Sequence, residues 1–265
     1  MDSPPEELTN RSWLHDRAVP ISDALDSLLS WMEHEWEGTP RSAAADAGSH
    51  DHDLHLPLDT GILEVDRALG GGLRQGHLTV LEAELPSQSD AVLWSIARNI
   101  RHKTVLDVDQ LLGAVAWIWA GGSGIPTISM TQGRMTQKEW QRAVDSIGRL
   151  TERPLYLGQA ESVAGLAALS ASRRARVLMV QDLERFGDPR VVYGELARLA
   201  ARTGLAVLAT ARTTGAVPEG CGHITTVVQV LRSSMGGTAR FVLADRIEML
   251  SVHELRMDLV TGRVT

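Results

Sequence analysis

"GGGLRQGHLTVLEAELPSQSDAVLWSIARNI", residues 70–100, decides how the rest of the chain is read. A glycine-rich turn feeds an apolar run at 77–83, a short polar stretch follows, and a helical pattern closes the segment. Strand, loop and helix in that order form the layout of a phosphate-binding loop. Such a loop needs glycines so that backbone N–H groups can approach the phosphates. It also needs a lysine for the β/γ charge and a hydroxyl for magnesium. Here the residues after Ala83 are Glu84, Leu85, Pro86, Ser87, Gln88, Ser89 and Asp90, with no glycine and no lysine among them. The nearest lysine, Lys103, lies beyond the helical pattern. The expectation is a bend that carries a carboxylate and does not hold a triphosphate.

Outward from this segment, apolar runs and helical patterns alternate. Strands are expected at 77–83, 104–108, "PTISM" (126–130), 154–158, "RVLMVQ" (176–181) and "LAVLAT" (205–210). Three more are expected at 224–232, 239–245 and 253–259. The purely apolar runs suit strands covered on both faces. Alternating βα units imply an α/β fold, a mostly parallel sheet flanked by helices. The last three strands lack intervening helices, so that end of the sheet should be antiparallel. In "TQKEWQRAVDSIGRL", Thr136 and Glu139 make a capping box, and Trp140, Ala143, Val144, Ile147 and Leu150 form the expected buried face.

Ahead of this domain, residues 20–37 read as a separate amphipathic helix with Ser22 as N-cap. Ile21, Leu25, Leu28, Met32 and Trp36 fall on one stripe. Residues 1–19 are expected to be a loosely ordered tail and 38–57 a flexible linker, leaving 58–265 as the main domain.

The chain has 265 residues, a formal charge of −7 and one cysteine, Cys221. The acidic balance gives no overall field that recruits nucleic acid. One cysteine excludes a disulfide framework and a cysteine-based zinc site, and a reducing cytoplasm is the expected setting. No run approaches the roughly 20 apolar residues of a membrane span, and the acidic start is unlike a signal peptide. The "HDHDLH" stretch at 50–55 alternates imidazoles and carboxylates, but its place in a small-residue linker argues against a metal site. Cys221 and His223 in a loop are likewise read as inert rather than as a thiol–imidazole pair.

Three longer stretches carry a resemblance. "TGILEVDRALGGGLRQGHLTVLEA" (60–83) resembles the opening of the RecA-like motor domain of the bacterial replicative helicase (DnaB) family. "GIPTISMTQGRMTQKEWQRAVDSIGRLTERPLYL" (124–157) is similar to that family's segment from the second to the fourth strand. "GTARFVLADRIEML" and "LRMDLVTGRVT" are similar to its last strands. The likeness covers roughly residues 58–265 and implies a RecA-like, P-loop-type sheet. The helix at 20–37 stands where such helicases carry a linker helix that docks on the neighbouring subunit.

The departures decide the functional expectation. Against the family's pattern, Gln88, Ser89 and Asp90 occupy the places of glycine, lysine and Ser/Thr, so that Pro86, Ser87, Gln88, Ser89 and Asp90 form a vestigial nucleotide loop. Gln181 takes the place of the Walker B aspartate, with Asp182 one residue late. Val105 and Asp107 stand where the family has its catalytic glutamate, and Asp245 and Ile247 align with the lysine and arginine that reach a neighbouring site. The resemblance therefore implies a pseudo-ATPase acting through protein contact or self-assembly, in a replication or other DNA-associated setting, with no cofactor. The 20–37 stripe either folds back on the domain or docks on a partner, and that partner would be another copy or a helicase-like subunit.

The alternative is a divergent ATP- and magnesium-dependent DNA translocase that uses Asp107, Asp109 or Asp182, with Arg98 or Arg101 compensating for the lysine. "LERFGDPR" (183–190) falls where motor domains send a loop toward single-stranded DNA. Arg185, Phe186 and Arg190 are candidates for weak phosphate contact or base stacking, and Arg212 belongs to a second such loop. Trp117 and Trp119, on a helix expected to be capped by Gly121 and Gly122, are read as packing residues.

Overall fold

The computed structural model describes residues 18–34, 56–212, 225–235, 238–245 and 252–258. Its strands are β1 (Val19–Pro20), β2 (Leu78–Ala83), β3 (Thr104–Asp107), β4 (Leu155–Gly158), β5 (Val177–Val180), β6 (Ala206–Arg212), β7 (Thr225–Met235), β8 (Thr238–Asp245) and β9 (Val252–Asp258). They form one sheet in the order β1-β4-β3-β5-β6-β2-β7-β8-β9. The six strands from β4 to β7 run parallel. β8 and β9 continue one edge antiparallel, and β1 closes the other edge antiparallel to β4.

The helices are α1 (Ile21–His34), α2 (Leu63–Ala68), α3 (Pro86–Asn99), α4 (Leu111–Ser123), α5 (Thr127–Thr131), α6 (Gln137–Thr151), α7 (Val163–Arg173) and α8 (Pro189–Thr203). Strand alternation divides the core into two. On β5, Val177 and Met179 join one cluster with α1, α3, α4 and α6. Leu178 and Val180 join the other, beneath α7 and α8. Every residue of β2, β3 and β5 is buried, because both faces of these central strands are covered.

Four local expectations are corrected. Residues 127–131 form the short helix α5 rather than a strand. Thr127 and Met130 are buried three positions apart while Ile128 is 60% exposed, which is a helical period and not an alternation. Helix α4 runs through Gly121 and Gly122 and stops at Gly124, whose φ of 68° supplies the left-handed cap. On α6 the capping box of Thr136 and Glu139 is present. Its buried stripe, however, is Ala143, Ser146 and Leu150, and Val144 is 42% exposed. Ser22 lies in the first turn of α1 rather than ahead of it, its hydroxyl bonded to Asp23 Oδ1 at 3.1 Å.

The largest difference concerns α1. Ile21, Ala24, Leu25 and Leu28 are buried in the same core cluster as α4 and α6, so the stripe assigned to a partner is covered by the chain's own domain. Pairing of Val19 and Pro20 with Leu157 and Tyr156 anchors the helix at its start. Arg173 adds a hydrogen bond from Nε to the Ala18 carbonyl at 3.0 Å, with its guanidinium 4.9 Å above the Tyr156 ring. The backbone at Met32 is helical. Trp36, the histidine-rich stretch at 50–55 and Cys221 lie outside the described residues.

Leu25→Ala should therefore behave as a core truncation, lowering stability by about 2–5 kcal/mol. The expected readout is a lower urea midpoint with an unchanged slope, independent of protein concentration. A midpoint that moves with concentration would place the stripe against another copy instead.

Candidate functional site

Parallel α/β sheets bind ligands beyond the carboxyl ends of their strands. At that edge β2 ends at Ala83 and α3 begins at Pro86, so only Glu84 and Leu85 connect them. Leu85 is extended (φ −112°, ψ 126°), and Pro86, whose ring fixes φ near the helical value, opens the first turn. No residue between Gly76 and Gly124 has a positive φ. The expected open bend is thus corrected: Pro86, Ser87, Gln88, Ser89 and Asp90 are helical. Without glycine the backbone cannot make the turns that wrap a phosphate, and proline starts the helix at once. Ser89 is fully buried and turns back on its own helix, its hydroxyl donating to the Pro86 carbonyl at 3.1 Å.

Asp90 stands in the second turn of α3 and joins three elements. Its Oδ1 accepts from Thr210 Oγ1 on β6, and its Oδ2 accepts from Gln181 Nε2 beyond β5, both at 2.9 Å. The Thr210 hydroxyl also accepts the Asp182 backbone N–H at 2.8 Å, and Gln181 Oε1 accepts the Asp109 N–H at 3.2 Å. Burial raises the Asp90 carboxyl above its ordinary range, and the two hydrogen bonds work against that rise. Asp182 holds a left-handed conformation (φ 53°), which a short polar side chain tolerates better than most.

A second knot lies beside the first. Asp107, at the end of β3, is fully buried. Its Oδ1 accepts the Ala160 N–H at 2.7 Å and its Oδ2 pairs with the Arg185 guanidinium. Arg185 Nε also donates to the Gln181 carbonyl at 3.1 Å, and its guanidinium lies 5.1 Å over the Phe186 ring. Burial pushes the Asp107 carboxyl up to about 7, outweighing the opposing influence of Arg185 and the Ala160 N–H. Glu184 is also raised to about 7, by burial and by its hydrogen bond with Asp182, although its Oε1 accepts the Arg212 N–H at 2.7 Å.

These contacts place the residues singled out from the sequence. Asp107 and Asp182 come to one edge, but Asp107 is enclosed and its oxygens are engaged. Arg185 and Phe186 face inward as a pair. Arg190, early in α8, and Arg212, at the end of β6, stand exposed. Trp119 is a packing residue, its Nε1 bonded to Ala143 O and Ser146 Oγ at 2.9 Å each. Trp117 is half-buried against the same core and also lines a cleft of about 210 Å³ with Ser87, Asp90, Trp94, Asp109 and Gln181. Thr210 and Trp94 were not singled out from the sequence. The one usable signal was that Thr210 ends an otherwise apolar strand. A further buried pair, Tyr193 Oη donating to Glu82 Oε1 at 2.7 Å, stiffens β2 against α8.

The cleft is below the roughly 300–1,000 Å³ of ordinary ligand sites. Carboxylates of Asp90 and Asp109 line it, with Asp182 close enough to raise the Asp90 carboxyl, and Ser89 and Asp90 are helical. Among the described residues no three His, Cys, Asp or Glu side chains are grouped to hold a metal, and no helix is long and apolar enough to cross a membrane.

Fold and site together describe an α/β domain of the RecA-like type with an enclosed, acidic strand edge. The structure is similar to a solved "DnaB-like replicative helicase" described with "its interactions with primase". The TM-score is 0.66 at 13% identity, over 91% of this chain and 71% of that one. At that identity the likeness shows the fold. Residues 57–150 match a family of unknown function, DUF7125. No curated protein matches the chain in sequence.

The raised carboxyls predict a pH dependence. Between the ordinary value of 3.8 and about 7, folded Asp107 keeps a proton that the unfolded chain has released. Stability is thus greatest at the acid end of that window and falls as pH rises through it. The thermal midpoint should drop from pH 5 to pH 8, and Asp107→Asn should flatten the slope; a midpoint that climbs over this range would contradict the assignment.

Proposed function

We propose that this chain is a non-catalytic, pseudo-ATPase member of the RecA-like fold, working through protein contact or self-assembly in a replication or other DNA-associated setting. The observation that carries the reading is the hydrogen bonding of Asp90 to Gln181 and Thr210, on a helix that starts two residues after β2. Magnitudes favour it. A charge-assisted hydrogen bond contributes about 1.5–3 kcal/mol. A like-charge contact at close range opposes binding by up to about 4 kcal/mol at an effective dielectric of 20. A micromolar nucleotide site has only about −8 kcal/mol in total. Losing the lysine and the backbone cradle while adding a carboxylate removes most of it.

The likeness to a helicase that engages primase supports a protein partner, either another copy or a helicase-like subunit. Apolar Leu85 and Val191, 53% and 55% exposed, add contact surface. With the α1 stripe covered, that contact uses a different surface or requires α1 to exchange between copies. Arg190 and Arg212 provide at most a weak, salt-sensitive contact to DNA. A cytoplasmic setting follows from the same reading.

The test is phosphate release by the full chain with magnesium-ATP, alone and with single-stranded DNA. Turnover should not exceed the protein-free blank. Magnesium-dependent turnover that disappears in Asp182→Ala would establish a relocated catalytic site and overturn the proposal.

A further inference from the structure

The opposite end of α3 carries a second cavity with the reverse charge. It has a volume of about 610 Å³ and lies between the C-terminal ends of α3 and α4 and the side of α6, toward the amino ends of the strands. Arg98, Arg142, Arg149 and Arg153 converge on it, against the single carboxylate of Asp145. In a chain whose formal charge is −7, that is a local reversal.

The cavity is built around Arg98, which is 7% exposed. Its Nη2 donates to Ser95 Oγ at 3.0 Å, and its guanidinium lies flat against Gly121 of α4. A Cβ at Gly121 would come within 2.1 Å of Arg98 Nη1, so any side chain there would evict the arginine. Gly122 leaves the neighbouring turn bare beneath Leu150, 3.7 Å from where its Cβ would be. Glycine weakens a helix relative to alanine, and α4 carries one at 121, where the Arg98 guanidinium occupies the space of a side chain. Arg142 and Arg149, seven residues apart and therefore on one side of α6, are exposed at the rim. Arg153 is half-buried, its Nη1 3.5 Å from the Asn99 carbonyl, and Asp145 accepts from Gln141 Nε2 at 2.9 Å.

Arginines in the last turns of α3 and α6 complement the negative ends of those helices. That does not account for Arg142, five residues into α6, or for four guanidiniums meeting around one concavity. Planar guanidinium forks match phosphate oxygens two at a time. The volume falls in the range of small-molecule sites. A nucleic-acid strand would track the exposed rim rather than enter the concavity.

We propose that this cavity binds a small phosphorylated molecule bearing at least two linked phosphate groups, with Arg98 at its floor and Arg142 and Arg149 closing over it. The site is separate from the carboxylate-lined edge and needs no magnesium. Titration calorimetry of the full chain with inorganic pyrophosphate, in chelator and at low ionic strength, should show saturable binding. The double variant Arg142→Gln/Arg149→Gln, altered only at exposed positions, should keep the ligand-free thermal midpoint and bind roughly tenfold weaker or less. Absence of saturable binding overturns the proposal, as does unchanged affinity in the double variant. Binding of a single-stranded oligonucleotide without binding of pyrophosphate also overturns it, and assigns the rim to nucleic acid. Because the readout is metal-free binding, its failure is distinct from any result on ATP turnover.

Discussion

The carboxylate of Asp90, held by Gln181 and Thr210, is the contact on which the strand edge depends. A partly buried carboxylate needs donors, and it finds them on two elements that a nucleotide-binding domain uses otherwise. The side chains at this edge are therefore coupled. An aspartate at position 181 would face Asp90 with a like charge, whereas the amide of Gln181 donates to it and accepts from Asp109. The contact is possible because α3 starts immediately after Leu85, which puts Asp90 within reach of β6.

The pairing of Asp107 with Arg185 extends the same logic to the next strand. A carboxylate on a fully buried strand end requires a cation, and Arg185 reaches it from the turn after β5. The pair fixes that turn against β3 and uses the arginine that would otherwise be available to a phosphate backbone. Together the two knots join α3, β3, β5 and β6 across their ends. The edge they make is closed and acidic. Helix α3 shows this polarity along its length, with Asp90 near its positive end and Arg98 near its negative end, as an ordinary helix dipole favours.

Much of the fold was legible in local pattern. Apolar runs located the parallel strands, and the spacing of Thr136 and Glu139 located the start of α6. The missing glycines after Ala83 signalled that the segment lacks a glycine-shaped turn, but not that Pro86 starts a helix at once in place of a bend. What escaped depends on tertiary neighbours. "PTISM" has strand-like residues, yet packing against α4 selects a helix for it. The α1 stripe is equally suited to a foreign surface and to its own domain, and only the fold shows that β4, α4 and α6 cover it. Arg185 reads as a surface cation until Asp107, 78 residues earlier, is brought beside it. The cavity of four arginines is assembled from α3, α6 and the turn before β4, segments that no sequence window joins.

Amide hydrogen exchange across residues 86–94 tests the central claim most directly. If Pro86 opens a helix that Asp90 ties to Gln181 and Thr210, amides from Asp90 onward are protected without ligand and stay unchanged when magnesium-ATP is added. Fast exchange in the free protein, slowed on adding magnesium-ATP, would reveal an open loop that closes on a nucleotide and would contradict the account.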